Sequence, residues 1–226
     1  MPNDHLTIAV LGGTGKEGGG LALRWAHKGH RVLIGSRTAD RAEEAAAAMR
    51  AELGDAAQVR GMANPDAAAA ADLVVLAVPY AAQQSTVQDV AAQLQGKILI
   101  DVTVPLVPPK VSRVQLPEGG SAVEAVQRLL GDGVKVVSAF QNISAHHLAN
   151  LDEEMDCDVL VCADDPAAAD TVVALSEEIG LTAWNAGPLA NSAVAEALTS
   201  VLIALNRRYK VPGAGIRITG VPRTGA

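Results

Sequence analysis

The chain has 226 residues, of which 49% are hydrophobic and 19% are charged, so it can bury a sizeable core and does not resemble a disordered protein. Its 25 acidic and 18 basic side chains give a net charge of -7, which argues against a nucleic-acid-binding protein because no basic field surrounds the molecule. The N-terminus, Met1–His5, has no basic run before an apolar stretch. We therefore expect a soluble, cytoplasmic protein without a secretory signal or a membrane partner.

The first half of the chain alternates short apolar segments with helix-forming segments. A buried strand is predicted over residues 6–11, followed by a glycine-rich turn and a helix over 18–28. A second strand is predicted over 31–35, and an alanine-rich helix over 38–53. This order is that of a strand-helix-strand unit followed by another helix.

The alternation continues through the second half. Strands are predicted over residues 72–79, 97–104, 134–140 and 158–163, and helices over 81–94, 121–130 and 166–179. An irregular loop is predicted at Pro105, Pro108, Pro109 and Pro117, because proline cannot donate to a strand ladder. The pattern predicts an α/β fold with a Rossmann-type doubly wound, mostly parallel sheet and a small C-terminal helical region.

One long apolar helix is predicted over residues 189–209. Asn191, Glu196 and Asn206 make it too polar for a membrane span. A helix that is apolar on several sides must be covered by the rest of the chain or by a second subunit, and the two alternatives are compatible. We expect residues 1–180 to form a nucleotide-binding Rossmann domain. Residues 181–226 would form a helical region that contributes to the cleft and to a homodimer interface.

The first turn carries the spacing Gly13-x-Gly15-x-x-Gly18. This motif is weak alone, but here it follows a predicted strand, opens a predicted helix and begins a strand-helix alternation. Glycines allow the backbone to approach a diphosphate, whose charge is favoured at a helix N-terminus. The sequence therefore predicts a dinucleotide site.

The end of the second predicted strand indicates which dinucleotide binds. An NAD site usually has an acidic residue there, which accepts hydrogen bonds from the adenosine ribose. This chain has Ser36 and Arg37 instead, and Arg41 lies one helical turn further on. A hydroxyl and two guanidinium groups suit the 2′-phosphate of NADP.

Together with these motifs, three later strings resemble the NADP oxidoreductases that use the deazaflavin coenzyme F-420. They are the segments at 137–140 (VSAF), 149–152 (ANLD) and 186–192 (AGPLANS), and the likeness spans nearly the whole chain. The resemblance implies a Rossmann fold and a cleft that binds both NADP(H) and the deazaflavin as redox partners.

The resemblance also implies a role for individual residues. The dinucleotide would be contacted by Thr14, Gly15, Lys16 and Glu17, its 2′-phosphate by Ser36, Arg37 and Arg41, and its nicotinamide by Val78, Val104 and Ala145. The deazaflavin pocket would include Ile143 and the segment from Leu189 through Asn191 to Ser192. Gln141 stands where some family members have histidine, so a mechanism that needs an imidazole there is in doubt for this chain.

The resemblance implies hydride transfer between NADP(H) and coenzyme F-420, a reaction that needs little acid-base machinery because the carriers supply the chemistry. No catalytic residue is assigned. One alternative is an NADPH-dependent reductase of a small carbonyl or imine, for which Tyr80, His146 or His147 would be the proton donor. Another is a non-catalytic regulator that responds to NADP(H). His146 and His147 are otherwise interpreted as a surface pair.

The two cysteines, Cys157 and Cys162, lack the four-ligand spacing of a zinc site. Residues five apart on a strand point to opposite faces, which disfavours a disulfide between them. We expect two buried thiols in a reducing cytosol and no metal site.

Overall fold

The computed structural model describes residues 5–54 and 56–222. It contains eight strands, β1 Thr7–Leu11, β2 Arg31–Ser36, β3 Val59–Ala63, β4 Leu73–Leu76, β5 Ile98–Asp101, β6 Lys135–Ser138, β7 Asp158–Ala163 and β8 Thr182–Asn185, within this described part. The same ranges contain eight α-helices, α1 Lys16–His27, α2 Ala39–Leu53, α3 Asn64–Ala70, α4 Tyr80–Leu94, α5 Ala122–Leu130, α6 Ala145–Leu148, α7 Pro166–Glu178 and α8 Ser192–Tyr209.

The strands form one sheet in the order β3-β2-β1-β4-β5-β6-β7-β8. All neighbours are parallel except β6 and β7. The strand order reverses beside β1, where β2 pairs on one side and β4 on the other. In such sheets, ligands bind at the carboxyl ends of the strands beside this switch point. The predicted Rossmann-type, mostly parallel sheet is confirmed.

Four short elements were not predicted from the sequence. They are β3, α3, α6 and β8. Strand β3 contains Arg60 and Gly61, which weaken its apolar pattern. Strand β8 lies inside the predicted C-terminal helical region and pairs with β7, so the sheet extends to Asn185, past the division predicted at residue 180. The outer ends of the two predicted regions, residues 1–4 and 223–226, lie outside the described residues.

Two apolar clusters cover the two faces of the sheet. One packs α1, α2 and α7 against one face, and its large side chains include Trp25 and Phe140, whose rings meet edge to face. The other packs α3, α4 and α5 against the opposite face. Successive strand residues contribute to opposite clusters, as in β1, where Ile8 belongs to the first cluster and Ala9 to the second.

The C-terminal helix α8 follows a 3-10 turn at Leu189–Asn191. The combined stretch Leu189–Tyr209 is long and apolar enough to cross a membrane by length and composition alone, and one third of its apolar window is buried against the protein. Glu196 on this helix is buried and hydrogen-bonded to the start of α5. These contacts place α8 in the folded domain as a packed helix.

Candidate dinucleotide cleft

The glycine-rich turn joins β1 to α1 at the switch point of the sheet. The amide of Gly12 donates to the carbonyl of Gly35 at 3.0 Å, which holds the turn against the end of β2. Gly12 has a φ of +84°, and a Cβ there would lie 2.3 Å from the carbonyl oxygen of Ala77. A Cβ on Gly18 would meet the Cβ of Ala77 at 2.9 Å. These glycines therefore let the turn and α1 approach the end of β4 closely.

Helix α1 begins without a side-chain cap. Gly15 is its N-cap residue and offers no side chain to the first amides. In any α-helix these amides lack intrahelical partners, so those of Lys16 and Glu17 are left for a ligand by the geometry of the helix. An uncapped N-terminus at the switch point fits a diphosphate.

The end of β2 lies beside this turn, since Leu11 pairs with Gly35. Ser36 is half-buried there, and Arg37 and Arg41 are exposed. Within the described residues, neither arginine forms an ion pair or a hydrogen bond, so both guanidinium groups are available for a phosphate. Their position at the carboxyl edge of the sheet fits the extra phosphate of NADP.

A cavity of about 410 Å³ opens next to the turn, at the carboxyl ends of β4, β5 and β6. Seven of the predicted site residues line it, namely Gly15, Lys16, Glu17, Val78, Val104, Ile143 and Ala145. Its other lining residues are Ala77, Pro79, Tyr80, Val102, Thr103, Leu106, Gln141 and Thr199. We call this cavity the cleft. Residues from both halves of the sheet and from α8 meet in it.

A buried polar group lies beneath the cleft at the end of β5. The carboxyl of Asp101 is completely buried and accepts hydrogen bonds from the amide of Thr103 at 2.9 Å and from Gln83 at 2.7 Å. Burial raises the pKa of Asp101 to about 6, although these hydrogen bonds act in the opposite direction. Asp101 is therefore a carboxyl whose charge is disfavoured by its surroundings.

Gln141 connects this polar group to the wall of the cleft. The side-chain Nε2 of Gln141 donates to the main-chain oxygen of Asp101 at 2.7 Å. The main-chain oxygen of Gln141 accepts from the hydroxyl of Thr199 on α8 at 2.6 Å. The Oε1 of Gln141 is buried and has no hydrogen-bond partner among the described residues. An unsatisfied buried acceptor beside a cavity is consistent with an amide donor on a bound ligand, such as the carboxamide of nicotinamide.

Helix α6 positions Ala145 and is held in place by Arg24 of α1. The guanidinium of this buried arginine donates to the carbonyls of His147, Leu148 and Asn150 at 2.9, 3.0 and 2.5 Å. These carbonyls lie at the end of α6, where orphan acceptors need donors. The wall of the cleft at Ala145 is thus fixed to the helix that carries the glycine-rich turn.

The segment at Leu189, Asn191 and Ser192 does not line the cleft. Leu189 belongs to the apolar core, and Asn191 is exposed and donates to the carbonyl of Ala186. Ser192 is completely buried, and its hydroxyl donates to Glu196 at 2.8 Å. The hydroxyl of Ser192 is thus already committed to a structural contact. The predicted contacts of these three residues with a deazaflavin stay predictions.

The histidines that were considered as proton donors lie outside the cleft. His147 contacts Glu153 and the carbonyl of Gly213, and His146 is exposed. Tyr80, the third candidate, does line the cleft. Cys157 and Cys162 are free thiols, half-buried and buried respectively. Over the described ranges there is no cluster of three or more possible metal ligands.

A second groove, of about 660 Å³, lies along the edge strand β3. Arg50 and Glu43, which line it, form a hydrogen-bonded ion pair at 2.6 Å. Glu43 also accepts from the amide of Gly61. These charged groups satisfy each other and tie α2 to β3, so the groove is explained as a structural feature.

Sequence reasoning did not assign Thr103, Leu106 or Thr199 to the site. Thr103 lies near the end of the strand predicted over 97–104, and Leu106 lies in the predicted prolyl loop that follows it. The end of a strand beside the switch point was the signal that could have indicated both residues. Thr199 lies in the middle of α8, and its place in the cleft depends on how that helix packs. No local pattern marks it.

The family model and similar curated proteins indicate the same family. The family model for coenzyme F-420-dependent NADP oxidoreductases matches residues 7–105. The chain is 44% identical over 223 residues to the F-420-dependent NADP reductase of Methanocaldococcus jannaschii, covering 96% of this chain and 99% of that protein. It is also 44% identical to the enzyme of the same name from Methanothermobacter thermautotrophicus, covering 96% of both chains.

Solved structures agree with the sequence comparison. A protein from Arthrobacter sp. FB24, provisionally assigned as an F-420-dependent NADP-reductase, superposes with a TM-score of 0.78 at 29% identity and covers 95% of this chain and 99% of that one. An imine reductase from Myxococcus stipitatus superposes with a TM-score of 0.62 at 18% identity, covering 91% of this chain and 62% of that one. This second likeness shows the fold alone. Since the relatives match nearly end to end, the chain belongs to the family of F-420-dependent NADP oxidoreductases.

Proposed function

We propose that this protein transfers a hydride between NADP(H) and coenzyme F-420, both bound in the cleft. The observation that carries the proposal is that an uncapped helix N-terminus, a partly apolar cavity and two arginines without an ion pair among the described residues lie at one edge of the sheet. Relatives named F-420-dependent NADP reductase, 41 to 44% identical over nearly the whole chain, support the same reaction.

The proposed binding roles follow from position. The amides of Lys16 and Glu17 would hold the diphosphate, next to Gly13, Thr14, Gly15 and Gly18 of the turn. Ser36, Arg37 and Arg41 would hold the 2′-phosphate. Val78, Val104 and Ala145 would border the nicotinamide, and Ile143 would border the deazaflavin. The contacts of Leu189, Asn191 and Ser192 with the deazaflavin stay predictions.

The residues of the chain act by position and by exclusion of water. When bound, the nicotinamide and the deazaflavin supply the hydride donor and acceptor. The apolar side chains of Val78, Val104 and Ile143 shield the bound rings from water, which protects a hydride in transit. Arg24 fixes the wall at α6, so this wall would help to hold the two bound rings at a fixed separation, as hydride transfer requires.

Turnover tests the proposal directly. The purified protein is mixed with NADPH and oxidised coenzyme F-420, and the loss of the deazaflavin's visible absorbance is followed. Rapid loss that depends on the protein is expected. No loss of absorbance while NADPH still binds would remove this function.

Nucleotide choice tests the proposed phosphate site. Replacing Arg37 and Arg41 by alanine removes two charge-assisted contacts, so we expect NADPH affinity to fall on the order of 100-fold and NADH affinity to change little. Arg31→Ala is the matched control, because Arg31 is exposed at the opposite end of the same strand. Calorimetry gives both affinities. Equal losses for the two nucleotides in the double variant would contradict the assignment.

Reduction of a small carbonyl or imine is the second candidate. Tyr80 favours it, because a phenol in the cleft could donate a proton to such a substrate. A screen of small imines and carbonyls with NADPH distinguishes the candidates, since substantial imine turnover without activity on coenzyme F-420 would support this reading. A non-catalytic regulator would bind NADPH and a partner protein without either turnover.

The proposal includes a homodimer in the cytoplasm. Val194, Val201, Leu205 and Tyr209 of α8 are 64, 45, 37 and 65% exposed. At 100° per residue these four side chains form one stripe about 80° wide, opposite the side that buries Glu196 and Ser200. In a two-fold dimer the same surface of each copy meets the other, so this stripe would be covered by the stripe of a second copy of the chain. The two free cysteines suit a reducing compartment.

A further inference from the structure

Glu17 places an acidic side chain in the wall of the cleft. It is the second residue of α1, is half-buried, and lines the cleft together with Val78, Val104 and Ala145. Among the described residues its carboxyl has neither an ion pair nor a hydrogen bond. Burial alone raises the pKa of Glu17 to about 8. The carboxyl therefore exchanges a proton in the pH range where cytoplasmic enzymes work.

No other charged group of the described residues fixes the ionisation state of Glu17, so a bound ligand can change it. Over the described part of the chain, the remaining titratable side chains of the cleft are Lys16 on α1 and Tyr80 on α4. The ends of β4 and β5, the loop after β6, α6 and α8 contribute uncharged residues to the cleft. The pKa of Glu17 is shifted by desolvation and by no charged neighbour. The diphosphate proposed at the amides of Lys16 and Glu17 is common to NADPH and NADP+, so between the two nucleotides only the ring changes the electrostatic surroundings of Glu17.

Nicotinamide changes its charge in the reaction. The ring is neutral in NADPH and carries one positive charge in NADP+. A cation a few ångströms from a carboxyl favours the carboxylate, whereas a neutral ring that displaces water favours the acid. On the basis of the proposed function, we propose that Glu17 couples its protonation to the redox state of the bound nucleotide, as an acid beside NADPH and a carboxylate beside NADP+.

The coupled step balances. A hydride, with its two electrons, would leave nicotinamide C4 for the acceptor carbon, so the ring would gain one positive charge and the acceptor one negative charge, which a proton from water would neutralise. The O–H bond of Glu17 then breaks, and its proton passes to water at the mouth of the cleft. The negative carboxylate left behind stabilises the new positive charge. In the reverse direction, Glu17 takes a proton from water as the ring is reduced.

Proton counts during nucleotide binding test the coupling without any turnover. NADPH and NADP+ are titrated separately into the protein at pH 8 by calorimetry, in buffers with different ionisation enthalpies. A group near its pKa is half-protonated, so we expect the number of protons taken up to be larger with NADPH than with NADP+, by up to about one proton. The 2′-phosphate ionises near pH 6 and is common to both nucleotides, so it does not produce a difference.

Two variants decide whether Glu17 is the group. Glu17→Gln keeps the shape but cannot ionise, so the proton counts for the two nucleotides should become equal. Glu177→Gln makes the same change on the exposed face of α7 and should keep the difference. Equal counts in the unmodified protein, or a difference that survives Glu17→Gln, would overturn the inference and leave the turnover test of the function untouched. If neither nucleotide bound, both proposals would fail.

Discussion

Asp101 is a carboxyl that the fold holds in an unfavourable place for a charge. Because burial raises its pKa from the model-peptide value of 3.8 to about 6, the folded protein keeps this proton at pH values where the unfolded chain has lost it. The group therefore stabilises the fold most below pH 4, and its contribution is lost as the pH rises towards 6. Above pH 6 Asp101 is ionised in both the folded and the unfolded chain, so the free-energy cost of burying its charge no longer changes with pH.

Replacing Asp101 by asparagine should remove this dependence. Asparagine can still accept from the amide of Thr103, and Gln83 can turn its amide to present the oxygen, which has no partner among the described residues. Between pH 5 and pH 8 we expect the free energy of unfolding of Asp101→Asn to gain roughly 1 kcal/mol relative to the unmodified protein. Urea unfolding at both pH values measures it. Asp170→Asn, on the exposed side of α7, should show no such gain; a gain of the same size there would contradict the explanation.

Residue-scale features of the site divide into local and distant ones. Gly13, Gly15 and Gly18 could be recognised because the turn needs them at fixed spacing within six residues. The roles of Gln141 and Thr199 depend on contacts between β5, the loop after β6 and α8. Those contacts follow from the order of the strands and the packing of α8, and a pattern along the chain does not encode them locally.

At the scale of elements, a single buried carboxylate joins α8 to α5. One oxygen of Glu196 accepts from the hydroxyls of Ser121 and Ser192 at 2.6 and 2.8 Å, and the other accepts from the amide of Ala122 at 2.8 Å. The amides at the start of α5 would otherwise lack partners, and the positive end of the helix dipole favours the negative charge. This contact fixes the helix that brings Thr199 to the cleft.

Glu196→Gln tests the strength of that joint. Glutamine can keep its oxygen for the amide of Ala122, but its NH2 group would then face the hydroxyls of Ser121 and Ser192, which would have to turn from donating to accepting. We expect a loss of about 2 to 3 kcal/mol in the free energy of unfolding, because the charge-assisted hydrogen bonds to the carboxylate are lost. Denaturant unfolding gives the value, with Glu52→Gln on the exposed face of α2 as the control. Equal stability of the two variants would show that Glu196 does not stabilise the joint.

Most helices and the central strands could be predicted, because apolar runs and alanine-rich stretches mark them directly. The strands β3 and β8, at the two edges of the sheet, could not. Strand β8 begins with a threonine and ends with an asparagine, and β3 includes an arginine and a glycine, so neither produces an apolar run. Helix α6 has one turn and is held by Arg24, a tertiary contact that its own four residues do not encode.

At the scale of the whole molecule, α8 connects the cleft to the outer surface. Thr199 reaches the cleft on one side of the helix, and the apolar stripe lies on the other side. The stripe extends about 22 Å from Val194 to Tyr209 at 1.5 Å per residue. An apolar surface of this length on a helix is typical of an interface with another protein.

A charged residue in the middle of the stripe should therefore separate the proposed dimer. In Val201→Glu, two added carboxylates would face each other across the two-fold axis, where like charges and lost apolar contact both oppose association. We expect sedimentation to give twice the chain mass for the unmodified protein and the chain mass, 23.2 kDa, for the variant. Ala48→Glu adds the same charge on the exposed face of α2 and should stay dimeric. A monomeric unmodified protein, or a dimeric Val201→Glu, would refute this interface, and the apolar stripe would then need another partner.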